Sequence, residues 1–134
     1  MSSQRPTSLL LVEDHVDLAN ATAEYLRLWG LEVRIARSGE QALEMAAEFQ
    51  PQIIFCDLVL PDISGLEVVR RLRAEAQTKN ALFVVSTAMA REDIEALEEA
   101  YEGEVDLFLL KPVTDGAVNE LLTRFAARRS GNLG

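Results

Sequence analysis

Five residues able to do chemistry stand directly behind short apolar runs. Glu13-Asp14 follow Leu9-Leu10-Leu11-Val12, and Asp57 follows Ile53-Ile54-Phe55-Cys56. Ser86-Thr87-Ala88 follow Leu82-Phe83-Val84-Val85, and Lys111-Pro112 follow Leu107-Phe108-Leu109-Leu110. Carboxylates brought close together repel one another, and burial strengthens the repulsion. They need a compensating cation, and an acidic all-oxygen set suits a hard divalent ion. A site left partly open to water and phosphate suits Mg²⁺. A lysine supplies a mobile point charge for a phosphate oxygen. A threonine hydroxyl can donate to the same phosphate. Together these groups suit phosphoryl transfer to a carboxylate, which depends mainly on positioning and charge neutralisation. Each residue alone is ordinary, since a charge just past a strand is commonly a solvated loop residue. The pattern repeated at four chain positions carries the argument.

The elements must bring those positions together. A fifth run, Val33-Arg34-Ile35-Ala36, alternates with Glu32 and Arg34 and reads as a half-exposed edge strand. The other four runs are continuous, as in parallel strands covered on both faces. Helical patterns separate the runs. Leu18, Ala21, Thr22, Tyr25 and Trp29 follow the helical period, with Gly30 able to end the helix. Ser38 and Gln41 form a capping pair for a helix over residues 40–49. Leu66, Val69 and Leu72 mark a third helix, Ile94, Leu97 and Tyr101 a fourth, and Val118, Leu121, Leu122 and Phe125 a fifth with Asp115 as its cap. Strand and helix thus alternate five times, which predicts an α/β fold, a doubly wound parallel sheet with helices on both faces. Ligands of such sheets lie beyond the carboxyl ends of the strands, where strand order reverses.

Bulk properties narrow the class. The 134 residues suit one domain, with 49 % hydrophobic and 26 % charged residues as in ordinary globular proteins. Cys56 is the single cysteine, so no internal disulfide forms, and a reducing, cytoplasmic compartment is expected. No apolar run reaches the roughly 20 residues of a membrane span, and Met1 to Ser8 lacks a signal-peptide core. The formal net charge of −9 argues against nucleic-acid binding by this chain alone. It is compatible with a cation site or a basic protein partner. The end from Ala127 to Gly134 is polar and is expected to fray, giving a domain over 8–128 with flexible ends at 1–7 and 129–134.

Leu10-Leu11-Val12-Glu13-Asp14, Asp57-Leu58-Val59-Leu60-Pro61-Asp62-Ile63-Ser64-Gly65, Ser86-Thr87-Ala88 and Lys111-Pro112 occur in this order at characteristic spacing. In these motifs the chain resembles the response-regulator receiver domains of two-component signalling, the CheY-like superfamily. The resemblance implies strand order 2-1-3-4-5 and a set of roles. Asp57 would take a phosphoryl group from a histidine kinase or phosphotransfer protein. Asp14, Asp57 and the backbone carbonyl of Val59 would ligate Mg²⁺, or Mn²⁺ in its place, with Glu13 acting mainly through a bound water. Thr87 would swing toward the phosphoryl group and Phe108 would move inward with it. Lys111 would hold a phosphoryl oxygen, across a Lys-Pro bond that is typically cis in this fold. The fourth helix, fifth strand and fifth helix would form the surface read by an unknown downstream protein. No separate substrate turnover is expected.

Some details belong to this chain. Val59 and Met89 lie two residues beyond Asp57 and Thr87, where relatives flank the path of the hydrolytic water. Both are apolar, so a slowly hydrolysing aspartyl phosphate is expected. Phe108 lacks a hydroxyl, so its switching would rest on packing; the plainer reading is a core Phe. Residues 92–106 carry eight acidic side chains, Glu92, Asp93, Glu95, Glu98, Glu99, Glu102, Glu104 and Asp106, as a solvated face or one that seeks a basic partner. His15 reads as a loop residue near the site, and Cys56 and Trp29 as packing. A haloacid-dehalogenase-like phosphatase is the competing enzyme reading, but it wants a second Asp where Val59 stands. A flavodoxin-like module would want a Ser/Thr/Gly-rich turn in place of Glu13-Asp14-His15. A stand-alone receiver is favoured over part of a longer regulator or hybrid kinase.

Overall fold

The structure is a computed structural model that describes residues 5–131. Five strands alternate with five helices: β1 (Ser8–Val12), α1 (Val16–Leu28), β2 (Glu32–Ala36), α2 (Gly39–Phe49), β3 (Ile53–Asp57), α3 (Gly65–Arg73), β4 (Leu82–Thr87), α4 (Arg91–Ala100), β5 (Leu107–Leu110) and α5 (Asp115–Gly131). All strand pairs are parallel, in the order β2-β1-β3-β4-β5. The doubly wound α/β fold read from the sequence is therefore the fold observed. Strand order reverses between β1 and β3, so their carboxyl ends open onto one crevice.

The period of two along each strand divides the core. Leu10, Val12, Ile54, Cys56, Phe83, Val85 and Phe108 join one cluster with side chains of α2, α3 and α4. Leu9, Leu11, Ile53, Phe55, Leu82, Val84, Leu107 and Leu109 join a second with α1 and α5. Burying a large aliphatic or aromatic side chain contributes roughly 1.5–3 kcal/mol. The three inner strands are therefore anchored on both faces at nearly every position. β2 alternates between Val33 and Ile35, turned to the core, and exposed Glu32 and Arg34, as an edge strand should. Among the described residues no helix is long and apolar enough to cross a membrane.

Several local expectations are corrected. The buried stripe of α1 is Ala19, Ala23 and Leu26, while Leu18 and Ala21 face outward. Small residues at 19 and 23 let the helix lie close on the sheet, a packing signal that hydrophobicity alone underweights. In α3, Val68 joins Val69 and Leu72 inside, and Leu66 is only half-buried. The Ser38 hydroxyl accepts from Gln41 N at 3.0 Å as expected. The Gln41 side chain reaches back to Arg37 N at 2.7 Å instead of to the cap itself. Thr114, not Asp115, caps α5: its Oγ1 accepts from Ala117 N at 3.1 Å, and Asp115 instead accepts from the Tyr25 hydroxyl. The segment from Ala127, expected to fray, is helical through Gly131. Arg128 ties that helix down by donating to Ala81 O at 2.8 Å and to Asp106 at 3.0 Å. Residues 1–4 and 132–134 of the expected flexible ends lie outside the described residues.

Candidate functional site

The site is assembled from loops that leave adjacent strands at one edge. Register places Asp57 opposite Ser86, and Leu58 N donates to Ser86 O at 2.9 Å, extending the β3–β4 ladder by one step. Lys111 N donates to Thr87 O at 2.8 Å and does the same for β4 and β5. Glu13 N donates to Ala36 O at 2.9 Å, so β1 continues into the acidic pair. Extending the period of two puts Glu13, Asp57, Ser86 and Lys111 on the α1 and α5 face and Thr87 on the opposite one. The glycine that opens α3 is required here. A Cβ on Gly65 would stand 2.2 Å from the carbonyl oxygen of Asp57, and Gly65 N donates to Leu58 O at 2.8 Å.

The side chains meet as follows. Lys111 Nζ lies 2.8 Å from Asp57 Oδ2 and 2.9 Å from Glu13 Oε1. Glu13, Asp14 and Asp57 each offer an oxygen within 4.8 Å of the others. Glu13 and Asp57 are 5 % and 8 % exposed, whereas Asp14 faces solvent. One ammonium against three carboxylates leaves two negative charges in a half-buried crevice. That imbalance and the all-oxygen donor set fit a divalent hard cation. Burial acts to lower the Lys111 pKa, but its bonds to Asp57 and Glu13 and their charges outweigh it, so the pKa is raised. The lysine is held charged between the two carboxylates.

Thr87 is 4 % exposed and its Oγ1 accepts from Met89 N at 3.2 Å. Val59 N donates to Asp57 Oδ1 at 3.2 Å, while the Val59 side chain is 72 % exposed. Met89 also faces solvent. Phe108 is buried in the same cluster as Ile94 of α4, away from the Lys111 side of the sheet. The Lys111-Pro112 peptide is cis. Burial and the nearby Asp57 and Glu13 charges push the Cys56 thiol pKa far up, so Cys56 is a core thiol.

Two contacts escape sequence reading. His15 is the N-cap of α1: its Nδ1 accepts from Leu18 N at 3.2 Å, and its own N–H donates to Glu13 Oε2 at 3.2 Å. Histidine is not a favoured capping type, so composition gave no signal. The acidic stretch also divides. Glu104 pairs with Arg70, and Asp106 pairs with Arg73 and Arg128. These two are tied to cations of the fold and do not belong to a free acidic face.

A parallel sheet of this order, with acidic residues behind β1 and β3 and a lysine behind β5, defines a class. The family model of the response regulator receiver domain matches residues 9–123, and the chain belongs to that family. It is 29 % identical to the polar-differentiation response regulator DivK of Brucella anthropi over 109 residues, 81 % of this chain and 87 % of DivK. It is 32 % identical to the transcriptional regulatory protein DpiA of Escherichia coli K12 over 92 % of this chain. It is 35 % identical to a cyclic di-GMP phosphodiesterase of Thermotoga maritima over 79 % of this chain. The chain spans 54 % of DpiA and 27 % of the phosphodiesterase. Among solved structures, the CheY-like receiver domain from Methylobacillus flagellatus superposes with TM-score 0.75 at 28 % identity, covering 90 % of this chain and 98 % of that one. The response regulator TrrA of Thermotoga maritima in complex with Mg(2+)-BeF superposes with TM-score 0.73 at 25 % identity, covering 89 % and 98 %.

Proposed function

We propose that this receiver domain is a phosphorylatable switch in which Asp57 takes a phosphoryl group from the phosphohistidine of a histidine kinase or phosphotransfer protein. The observation that carries the reading is the Asp57 carboxylate, buried at a strand end and bonded to Lys111 beside Glu13 and Asp14. An Asp57 oxygen forms the new P–O bond as the P–N bond of the phosphohistidine breaks and the histidine ring leaves. Asp14, Asp57 and the carbonyl of Val59 would hold Mg²⁺, with Glu13 acting through water. Bound there, the ion supplies the charge neutralisation that lets an anionic phosphoryl group approach. Lys111, now shared between Asp57 and Glu13, turns to a phosphoryl oxygen. Thr87 leaves its contact with Met89 N and donates its hydroxyl to another. Phosphorylation adds nearly two negative charges, which bias the loop after Thr87, α4 and buried Phe108 toward a second arrangement.

The readout surface is α4–β5–α5, and its partner carries basic charge. Glu92, Asp93, Glu95, Glu98, Glu99 and Glu102 supply the acidic side. A partner whose affinity is insensitive to salt would contradict this. Exposed apolar Val59 and Met89 offer no hydrogen bond to an attacking water, which supports slow hydrolysis of the aspartyl phosphate. Incubation with acetyl phosphate and Mg²⁺, followed by intact-mass measurement, tests the core of the reading. One phosphoryl group should be gained, and Asp57→Ala should abolish the gain. A gain that survives Asp57→Ala, or none in the wild type, would overturn it.

A further inference from the structure

We propose that Asp62 is a positioning residue for the metal site, pinning the loop that carries Val59 to the N-terminus of α2. The inference rests on the reading of Asp57 and its neighbours as a Mg²⁺-dependent phosphoacceptor site. The loop over residues 58–64 is fastened at its near end by Leu58, whose N–H donates to Ser86 O at 2.9 Å and whose carbonyl accepts from Gly65 N at 2.8 Å. At its far end, Asp62 Oδ1 accepts from Gly39 N at 2.9 Å and Oδ2 from Glu40 N at 2.8 Å. The next residue, Ile63, lies so close to Gly39 that a Cβ there would stand 2.3 Å from Ile63 Cγ1. Between the two fastenings run only Val59, Leu60 and Pro61.

Val59 cannot hold that span through its side chain, which stands in solvent. Its N–H is engaged with Asp57 Oδ1, but nothing on Val59 itself fixes the direction of its carbonyl. That direction follows from the backbone at both ends, and the far end is held by the carboxylate of Asp62, with Leu60 and Ile63 packed partly against the core beside it. The contact is two-pronged and charge-assisted, in the geometry that a helix N-terminus favours for an anion. The two N–H groups hold the Asp62 carboxyl below the usual carboxylate range, as expected for a carboxylate that is engaged when ionised.

A plainer role exists, since Asp62 also satisfies two otherwise orphaned N–H groups of α2. The structure separates the two roles. Ser38 caps the same helix end, accepting from Gln41 N at 3.0 Å, but lies outside the β3–α3 loop. Loss of either residue weakens α2, and only loss of Asp62 frees Val59.

The test compares wild type, Asp62→Ala, Asp62→Asn and Ser38→Ala, measuring Mg²⁺ affinity by calorimetric titration and stability by urea unfolding. Both alanine variants should lose stability. Asp62→Ala should weaken Mg²⁺ binding roughly tenfold, in the range for losing an outer-shell support, and Ser38→Ala should leave it unchanged. Asp62→Asn, which keeps one acceptor oxygen, should fall between, and it carries the test if Asp62→Ala does not fold. Wild-type affinity in the Asp62 variants, or equal weakening by Ser38→Ala, would overturn the proposal. A wild type that binds no Mg²⁺ and takes no phosphate would instead bring down the underlying reading, and this inference with it.

Discussion

Lys111 is the residue on which the site balances, because one ammonium meets two buried carboxylates at 2.8 and 2.9 Å. Replacing it leaves Asp57 and Glu13 facing each other uncompensated. On the proposed reading, Lys111→Ala should slow phosphorylation by acetyl phosphate by about a hundredfold, the usual scale for losing one donor to a developing charge. A rate within a factor of about two of wild type would remove Lys111 from the chemistry. Cys56 makes the opposite case, a reactive type made inert by place. It is fully buried with its pKa pushed up, so thiol reagents should label the native protein only as fast as it unfolds. Asp62 sets a pH dependence. Its folded pKa is lowered by the Glu40 and Gly39 N–H groups, so the folded state binds fewer protons there. Its contribution is present above the ordinary value of about 4 and is lost as pH falls through the folded value. Acid unfolding curves of Asp62→Asn should therefore lose stability less steeply below about pH 4 than those of wild type.

At the scale of elements, two glycines at helix starts do different work. A Cβ on Gly65 would meet the Asp57 carbonyl oxygen at 2.2 Å, and backbone in a central strand cannot give way. Gly65→Ala should cost about 3 kcal/mol, the upper end for overpacking, and should impair phosphorylation in whatever protein folds. The atoms nearest to a Cβ on Gly39 belong to the side chains of Ile63 and Val68. Ile63 can rotate, so Gly39→Ala should cost about 1 kcal/mol. Urea unfolding of the two variants checks the order, and equal losses would contradict it. The helices themselves show why periodicity is an incomplete guide. On α1 the sheet meets Ala19 and Ala23, and Leu18 is left outside near the site. Which side of an amphipathic helix faces inward depends on how close its axis must lie to the strands.

Across the whole molecule, the candidate site and an ion-pair network around Asp106 occupy opposite ends of the sheet. At the end away from Asp57, Asp106 accepts from Phe83 N at 2.8 Å, Arg73 at 2.9 Å and Arg128 at 3.0 Å. Arg73 also donates to Glu104 O and Lys79 O. One carboxylate thereby joins α3, β4, β5 and α5. An exposed pair such as Arg71–Glu67 is worth a few tenths of a kcal/mol. Asp106 is only about a quarter exposed, and its removal leaves the Phe83 N–H without this acceptor and takes from Arg73 and Arg128 the carboxylate they share. Asp106→Ala should therefore cost about 2 kcal/mol, leaving Mg²⁺ binding intact in the folded fraction. Loss of Mg²⁺ affinity in a folded Asp106→Ala protein would show that the two ends are coupled.

The sequence by itself determined the elements and named the residues of the candidate site. Short continuous apolar runs alternating with helical patterns suit strands covered on both faces, and acidic, hydroxyl and lysine residues at their ends mark one edge of the sheet. Period and residue type are local, so Asp57, Glu13, Asp14, Thr87 and Lys111 could be named without coordinates. The tertiary structure decided what depends on distance between segments remote in sequence. It put Lys111 on both Asp57 and Glu13, and turned Asp115 away from the α5 cap to Tyr25. It bound Glu104 and Asp106 into the fold instead of an acidic face. It also joined Asp62 to α2, 22 and 23 residues away along the chain. A carboxylate's partner is fixed by where the backbone brings N–H groups and cations, and no residue type announces that on its own.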